Sequence, residues 1–85
     1  MHIELIKEFQ VFALTQNLSK AAKELHMTQS CLGKHMAELE SETGLELINH
    51  DSKRVSLAPA GKYFAQETST MIAVWEDCLK RCKEI

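Results

Sequence analysis

Cys78 and Cys82 stand four residues apart, so on a helix both thiols share one face, the pairing from which a metal site can start. No further ligand is suitably placed to complete it. Cys31 is the third cysteine, and none of the spacings is CxxC. His35 and His50 read as surface residues rather than metal ligands. No nucleophile–base set stands out, so catalytic residues, metal and cofactor are all expected to be absent, and an enzyme is the least favoured class. What remains is hydrogen-bonding equipment in three short runs. Asn17, Ser19 and Lys20 form the first, Thr28, Gln29, Ser30 and Lys34 around Gly33 the second, and Lys53 and Arg54 the third. What such groups hold depends on the elements that present them.

The chain has 85 residues, room for one small domain with a modest core. Apolar residues at 45% and charged residues at 26% are the mix of a folded soluble chain rather than a disordered one. One Pro and three Gly leave little material for turns, which argues against a many-stranded sandwich or barrel and for long helices briefly joined. No stretch resembles a signal peptide or a membrane span, so the expected setting is the cytoplasm, with reduced thiols.

From Ile3 to Thr15, Leu5, Phe9, Phe12 and Ala13 fall on one face, opposite Glu4, Lys7 and Glu8, which is helical periodicity. Asn17 is placed to cap a short second helix, Leu18 to Leu25, whose apolar positions are Leu18, Ala21, Ala22 and Leu25. His26 and Met27 break the pattern. Thr28 then caps a third helix from Gln29 to about Thr43, with Leu32, Met36 and Leu39 on its apolar face and Gly44 as a left-handed stop. A short turn before the third of three helices is the outline of a helix-turn-helix. Two strand-like runs, Leu45 to Ile48 and Val55 to Leu57, flank a polar tip and make a β-hairpin where a wing would stand.

Pro59 suits the first position of a last helix, and no other Pro interrupts the 27 residues to Ile85. Phe64, Thr68, Met71, Trp75, Cys78, Cys82 and Ile85 alternate steps of four and three, a heptad seam flanked by Ile72 and Leu79. So wide a stripe is more than a small body can cover, and the surplus implies a partner helix. Cys78 and Cys82 read as thiols that fill this seam.

Leu5-x3-Phe9, Ala21-Ala22-x2-Leu25, Thr28-Gln29, Leu39-Glu40, Gly44-x2-Leu47, Val55-x-Leu57 and Ala60-Gly61 resemble, in order and spacing, the N-terminal module of LysR-type bacterial transcription regulators. The likeness covers essentially the whole chain. It implies a mainly α winged helix-turn-helix, with a small two-stranded β-wing at residues 1–58 and a linker and dimerisation helix at 59–85. It also implies sequence-specific binding of double-stranded DNA by a homodimer whose last helices pair antiparallel. Thr28, Gln29, Ser30, Gly33 and Lys34 would face the major groove, Gln29 towards adenine and Lys34 towards guanine or a phosphate. Asn17, Ser19 and Lys20 would meet phosphate at the start of the second helix, and Lys53 and Arg54 would contact DNA from the wing. Phe64, Thr68, Met71, Ile72, Trp75, Cys78, Leu79 and Cys82 would form the dimer seam. Family members continue into a larger effector-binding domain, so no small-molecule effector is expected within these residues, and the chain reads as a truncated or stand-alone module.

The departures from the family pattern bear on DNA. Ser30 stands where Pro is usual, Gly33 where Ser is usual, and Ile48 and His50 where Phe and Arg are frequent. Ala58 replaces a capping Thr. The formal charge is −2, with six basic and eight acidic residues through Leu57 and four of each beyond. The acids Glu38, Glu40, Glu42 and Glu46 gather at the far end of the third helix, so the field is segregated and fewer phosphate contacts than a basic relative makes are expected. The same features sustain an alternative, a dimerising protein-interaction module with weakened or lost DNA binding.

Overall fold

A computed structural model describes residues 3–50 and 55–85. Helices α1 (Ile3–Thr15), α2 (Leu18–Glu24) and α3 (Gln29–Thr43) are followed by strands β1 (Ile48–Asn49) and β2 (Ser56–Leu57) and by α4 (Pro59–Glu84). The two strands pair antiparallel, Ile48 opposite Leu57 and Asn49 opposite Ser56. The core forms where α1, α2, α3 and the wing base converge, around the fully buried Phe9, Phe12, Leu32, Leu39, Leu47 and Ile48.

The joints follow from local chemistry. The Asn17 side chain accepts from the Lys20 amide at 2.9 Å and Thr28 Oγ1 from the Cys31 amide at 3.0 Å, so each cap satisfies an otherwise unpaired first-turn donor. Gly44 closes α3 at φ 70°, a conformation that glycine adopts without a Cβ penalty. Ala58 precedes α4 with no side-chain cap, as expected from the missing hydroxyl. Gly33 lies mid-helix in α3, where a Cβ would meet only Leu18 Cδ2 at an ordinary 3.9 Å. Gly33→Ala is therefore expected to stabilise the fold by about 1 kcal/mol, raising the thermal midpoint by about 4–8 °C in a melting experiment.

The wing is tied down by Glu40, one of the acids gathered at the far end of α3. Glu40 Oε2 accepts from the amides of Leu47 at 2.8 Å and Ile48 at 3.1 Å, fixing the chain where it leaves α3 for β1. Leu47 in turn accepts from the Ala58 amide at 2.9 Å, which docks the start of α4. One carboxylate thus orients helix, strand and final helix together.

The first half of α4 belongs to the same core. Phe64 stacks edge-on against Phe9 with ring centroids 5.5 Å apart. Gln10 Nε2 donates to Thr68 Oγ1 at 2.6 Å and to the Ala65 carbonyl at 2.8 Å, and Ile72 packs on the same cluster. These contacts engage three residues expected in the dimer seam. Phe64, Thr68 and Ile72 turn towards α1 of their own chain, because a heptad stripe specifies an apolar neighbour but not whose neighbour it is. Beyond Ile72 every residue of α4 is exposed, and the molecule is drawn out to 50 Å along its longest axis.

Candidate nucleic-acid interface

The starts of α2 and α3 and the strand β2 border one open hollow of about 520 Å³, lined by polar Thr15, Gln16, Asn17, Ser19, Gln29 and Ser56 with Leu18 and Val55. Asn17, Ser19, Lys20, Thr28, Gln29, Ser30 and Lys34 are all exposed. Leu18 is half-buried and packs on the core, so it fixes α2 while its polar neighbours stay free. Both caps spend a side-chain oxygen on the backbone. Asn17 keeps its amide N–H groups as donors, whereas Thr28 keeps mainly its hydroxyl hydrogen. Gln29, Ser30 and Lys34 carry no such duty among the described contacts.

Gly33 stands apart from this set. It is half-buried beside Leu18, on the edge of α3 that turns towards α2, and offers no side chain. Lys53 and Arg54, expected at the wing tip, lie outside the described residues. Val55 and Ser56 line the same hollow as Asn17, which puts β2 beside the α2 start.

Away from the hollow, the exposed half of α4 carries Met71 at 44%, Trp75 at 45% and Leu79 at 44% exposure, with Cys78 and Cys82 also exposed. Val74 is exposed as well and widens this stripe, although the heptad reading passes over it. Tyr63 donates to Glu67 Oε1 at 3.0 Å, and this bond, with the nearby carboxylate charge, raises its pKa above the ordinary tyrosine value. Among the described residues no three His, Cys, Asp or Glu side chains gather as metal ligands.

His35 is less peripheral than its sequence setting indicates, whereas His50 is exposed as expected. His50 Nε2 lies 3.6 Å from Glu40 Oε1, beside the wing tether. His35 Nδ1 lies 2.7 Å from Glu8 Oε1 and links α3 to α1, and its Nε2 is 3.7 Å from Cys31 Sγ. The four-residue step from Cys31 to His35 was a legible signal. Glu8, on another helix, was not.

Comparison with known proteins bears directly on this geometry. The family model for bacterial regulatory helix-turn-helix proteins of the LysR family matches residues 3–62. The chain belongs to the LysR family. The HTH-type transcriptional regulator YcgK of Bacillus subtilis is 31% identical over 84 residues, which is 99% of this chain and 26% of that protein. Among solved structures, this LysR-family chain is similar to Vibrio fischeri DarR in complex with DNA, at a TM-score of 0.91 and 27% identity over 99% of this chain and 29% of DarR. It is also similar to BenM_DBD in complex with catB site 1 DNA, at a TM-score of 0.90 and 26% identity, over 100% of this chain and 94% of that one. The chain thus spans about a quarter of the length of its curated relative YcgK and nearly all of the BenM fragment. The match extends the likeness to the winged helix-turn-helix and to the long α4.

Proposed function

We propose that this LysR-family chain binds double-stranded DNA sequence-specifically as a homodimer, in the cytoplasm, and so serves bacterial transcription regulation. The observation that carries the reading is the hollow bordered by the starts of α2 and α3 and by β2, whose exposed polar groups no other described residue covers. A recognition helix reads base edges from its first turns while the helix before it crosses the backbone. In that arrangement Gln29 pairs with adenine and Lys34 with guanine acceptors or a phosphate. Asn17, Ser19 and Lys20 serve phosphates, and Lys53 and Arg54 contact DNA from the wing. Thr28 and Ser30 line the groove, and Gly33 lets α3 approach without adding a hydrogen bond. No helix of the described residues is long and apolar enough to cross a membrane, which fits this setting.

Residues 1–58 hold DNA in this reading and residues 59–85 pair the two copies, although the packing is continuous across residue 59. Met71, Trp75, Cys78, Leu79 and Cys82 supply the seam, and Phe64, Thr68 and Ile72 support it from behind. No small-molecule effector is expected within these residues.

Lys34 and Arg54 separate reading from holding. Lys34→Ala is expected to change sequence preference, at a cost of about 1–3 kcal/mol at one base position. Arg54→Ala should weaken all sequences alike and lower the salt slope by about one unit. Fluorescence anisotropy on matched and mismatched duplexes at several salt concentrations measures both. Unchanged binding by both variants at about 50 mM salt, where phosphate contacts count most, would overturn the contact assignment. The net charge of −2 favours the second reading, a dimerising interaction module, and a dimer that retards no duplex at all would establish it.

A further inference from the structure

Cys31, His35 and Glu8 form a line of contacts that neither the core nor the DNA reading requires. Glu8 Oε1 lies 2.7 Å from His35 Nδ1, and His35 Nε2 lies 3.7 Å from Cys31 Sγ. A carboxylate only accepts, so Nδ1 carries the hydrogen, and in the neutral imidazole the lone pair of Nε2 faces the thiol. A nucleophile, a base and a group that orients the base therefore stand in sequence. The setting is partly enclosed: Cys31 is half-buried, and the Glu8 side chain is 14% exposed. Cys31 also sits in the first turn of α3, its amide held by Thr28, at the positive end of the helix dipole. Cys78 and Cys82 have no histidine partner among the described contacts.

We propose that Cys31 is a modification site: a thiol that His35 activates, with Glu8 as positioning residue, for exchange with small disulfides. Cys31 Sγ attacks one sulfur of the incoming disulfide. A new S–S bond forms as the old one breaks, and the electron pair leaves with the departing sulfur. The Cys31 proton passes to His35 Nε2 and from there to that departing thiolate. Cys31 is oxidised to a mixed disulfide and half of the reagent is reduced to a thiol, so no other oxidant is needed. The adduct then stands between Ser30 and Leu32, on the helix assigned to the major groove. Its consequence for DNA rests on the function proposed above; the reactivity does not.

The test uses the 85-residue chain with Cys78→Ser and Cys82→Ser, leaving Cys31 as its single thiol, and dithiodipyridine as the neutral probe. Release of pyridine thione at pH 7 gives the rate, with N-acetylcysteine as the free-thiol reference. Cys31 is expected to react about tenfold faster than the free thiol, below the usual reach of general-base assistance because the contact to His35 is long. His35→Gln should bring the rate to or below the reference, and Glu8→Gln should fall between. Circular dichroism checks that each variant folds, and Glu8→Gln, which keeps a hydrogen-bonding group, decides if His35→Gln does not. A Cys31 rate at or below that of the free thiol in the parent protein, or one that neither substitution lowers, overturns the proposal. Modified protein should also lose duplex binding that dithiothreitol restores. If the wild-type chain, with Cys78 and Cys82 in place, binds no duplex, the DNA reading fails while the reactivity order still stands.

Discussion

Gly61→Ala is expected to destabilise the protein by about 2–3 kcal/mol or more, the upper range for forcing an extra carbon into a packed site. A Cβ at this position would lie 2.0 Å from the Leu47 carbonyl oxygen and 2.9 Å from its carbon. Those are backbone atoms, and they are held from both sides. The Leu47 amide donates to Glu40 and its carbonyl accepts from Ala58. Relief would have to move either the wing base or the start of α4. For a domain of this size the loss corresponds to a thermal midpoint lower by about 10–20 °C. A melting curve measures it, and the same substitution at Gly33 should move the midpoint the other way. A Gly61→Ala protein that melts with the parent would show that α4 is not seated as described.

Trp75→Glu is expected to convert a dimer into a monomer. In the protomer, Met71, Trp75 and Leu79 are each nearly half exposed beside the exposed Val74, a contiguous apolar stripe that a soluble monomer rarely leaves open. Covering one large apolar side chain contributes about 1.5–3 kcal/mol, so several together outweigh the entropy of pairing at micromolar concentration. A buried carboxylate with no partner would cost more than the tryptophan gains. Sedimentation should give twice the chain mass of 9.7 kDa for the parent and the single mass for the variant. Two linked modules on one duplex gain about a hundredfold or more in avidity, so the variant should lose that factor in DNA affinity with α3 unaltered. A parent of single mass at tens of micromolar would remove the seam, and a variant that stays dimeric would place it elsewhere.

How much of this was legible in the sequence depended on the range of the interaction. The caps Asn17 and Thr28, the stop at Gly44 and the Pro59 start each act within a few residues, and the helices begin and end where those signals place them. Contacts between elements were less accessible. Glu40 reads as one more acid at the far end of α3, because its amide partners lie seven and eight residues ahead, past a turn whose direction periodicity does not give. Phe64, Thr68 and Ile72 carry an apolar signal that does not distinguish α1 of the same chain from a second copy. Gln10, which donates to Thr68, is polar and gives no hint of facing α4. In the candidate site the exposed polar set of α2 and α3 was legible from the spacing of Leu32, Met36 and Leu39. The half-covered position of Gly33 was not, since it depends on how Leu18 of α2 leans across.

Selection from pooled random duplexes tests the central claim most directly. The chain, shown to be dimeric by sedimentation, is mixed with the pool at about 50 mM salt, where electrostatic binding is strong. The retarded fraction is then sequenced. Two α3 helices related by a two-fold axis should enrich a pair of inverted half-sites, centred about one helical turn or a multiple of it apart. Lys34→Ala should alter one base position in each half-site. A dimer that retards no duplex, or retards the pool without enriching any sequence, would contradict sequence-specific recognition by this face.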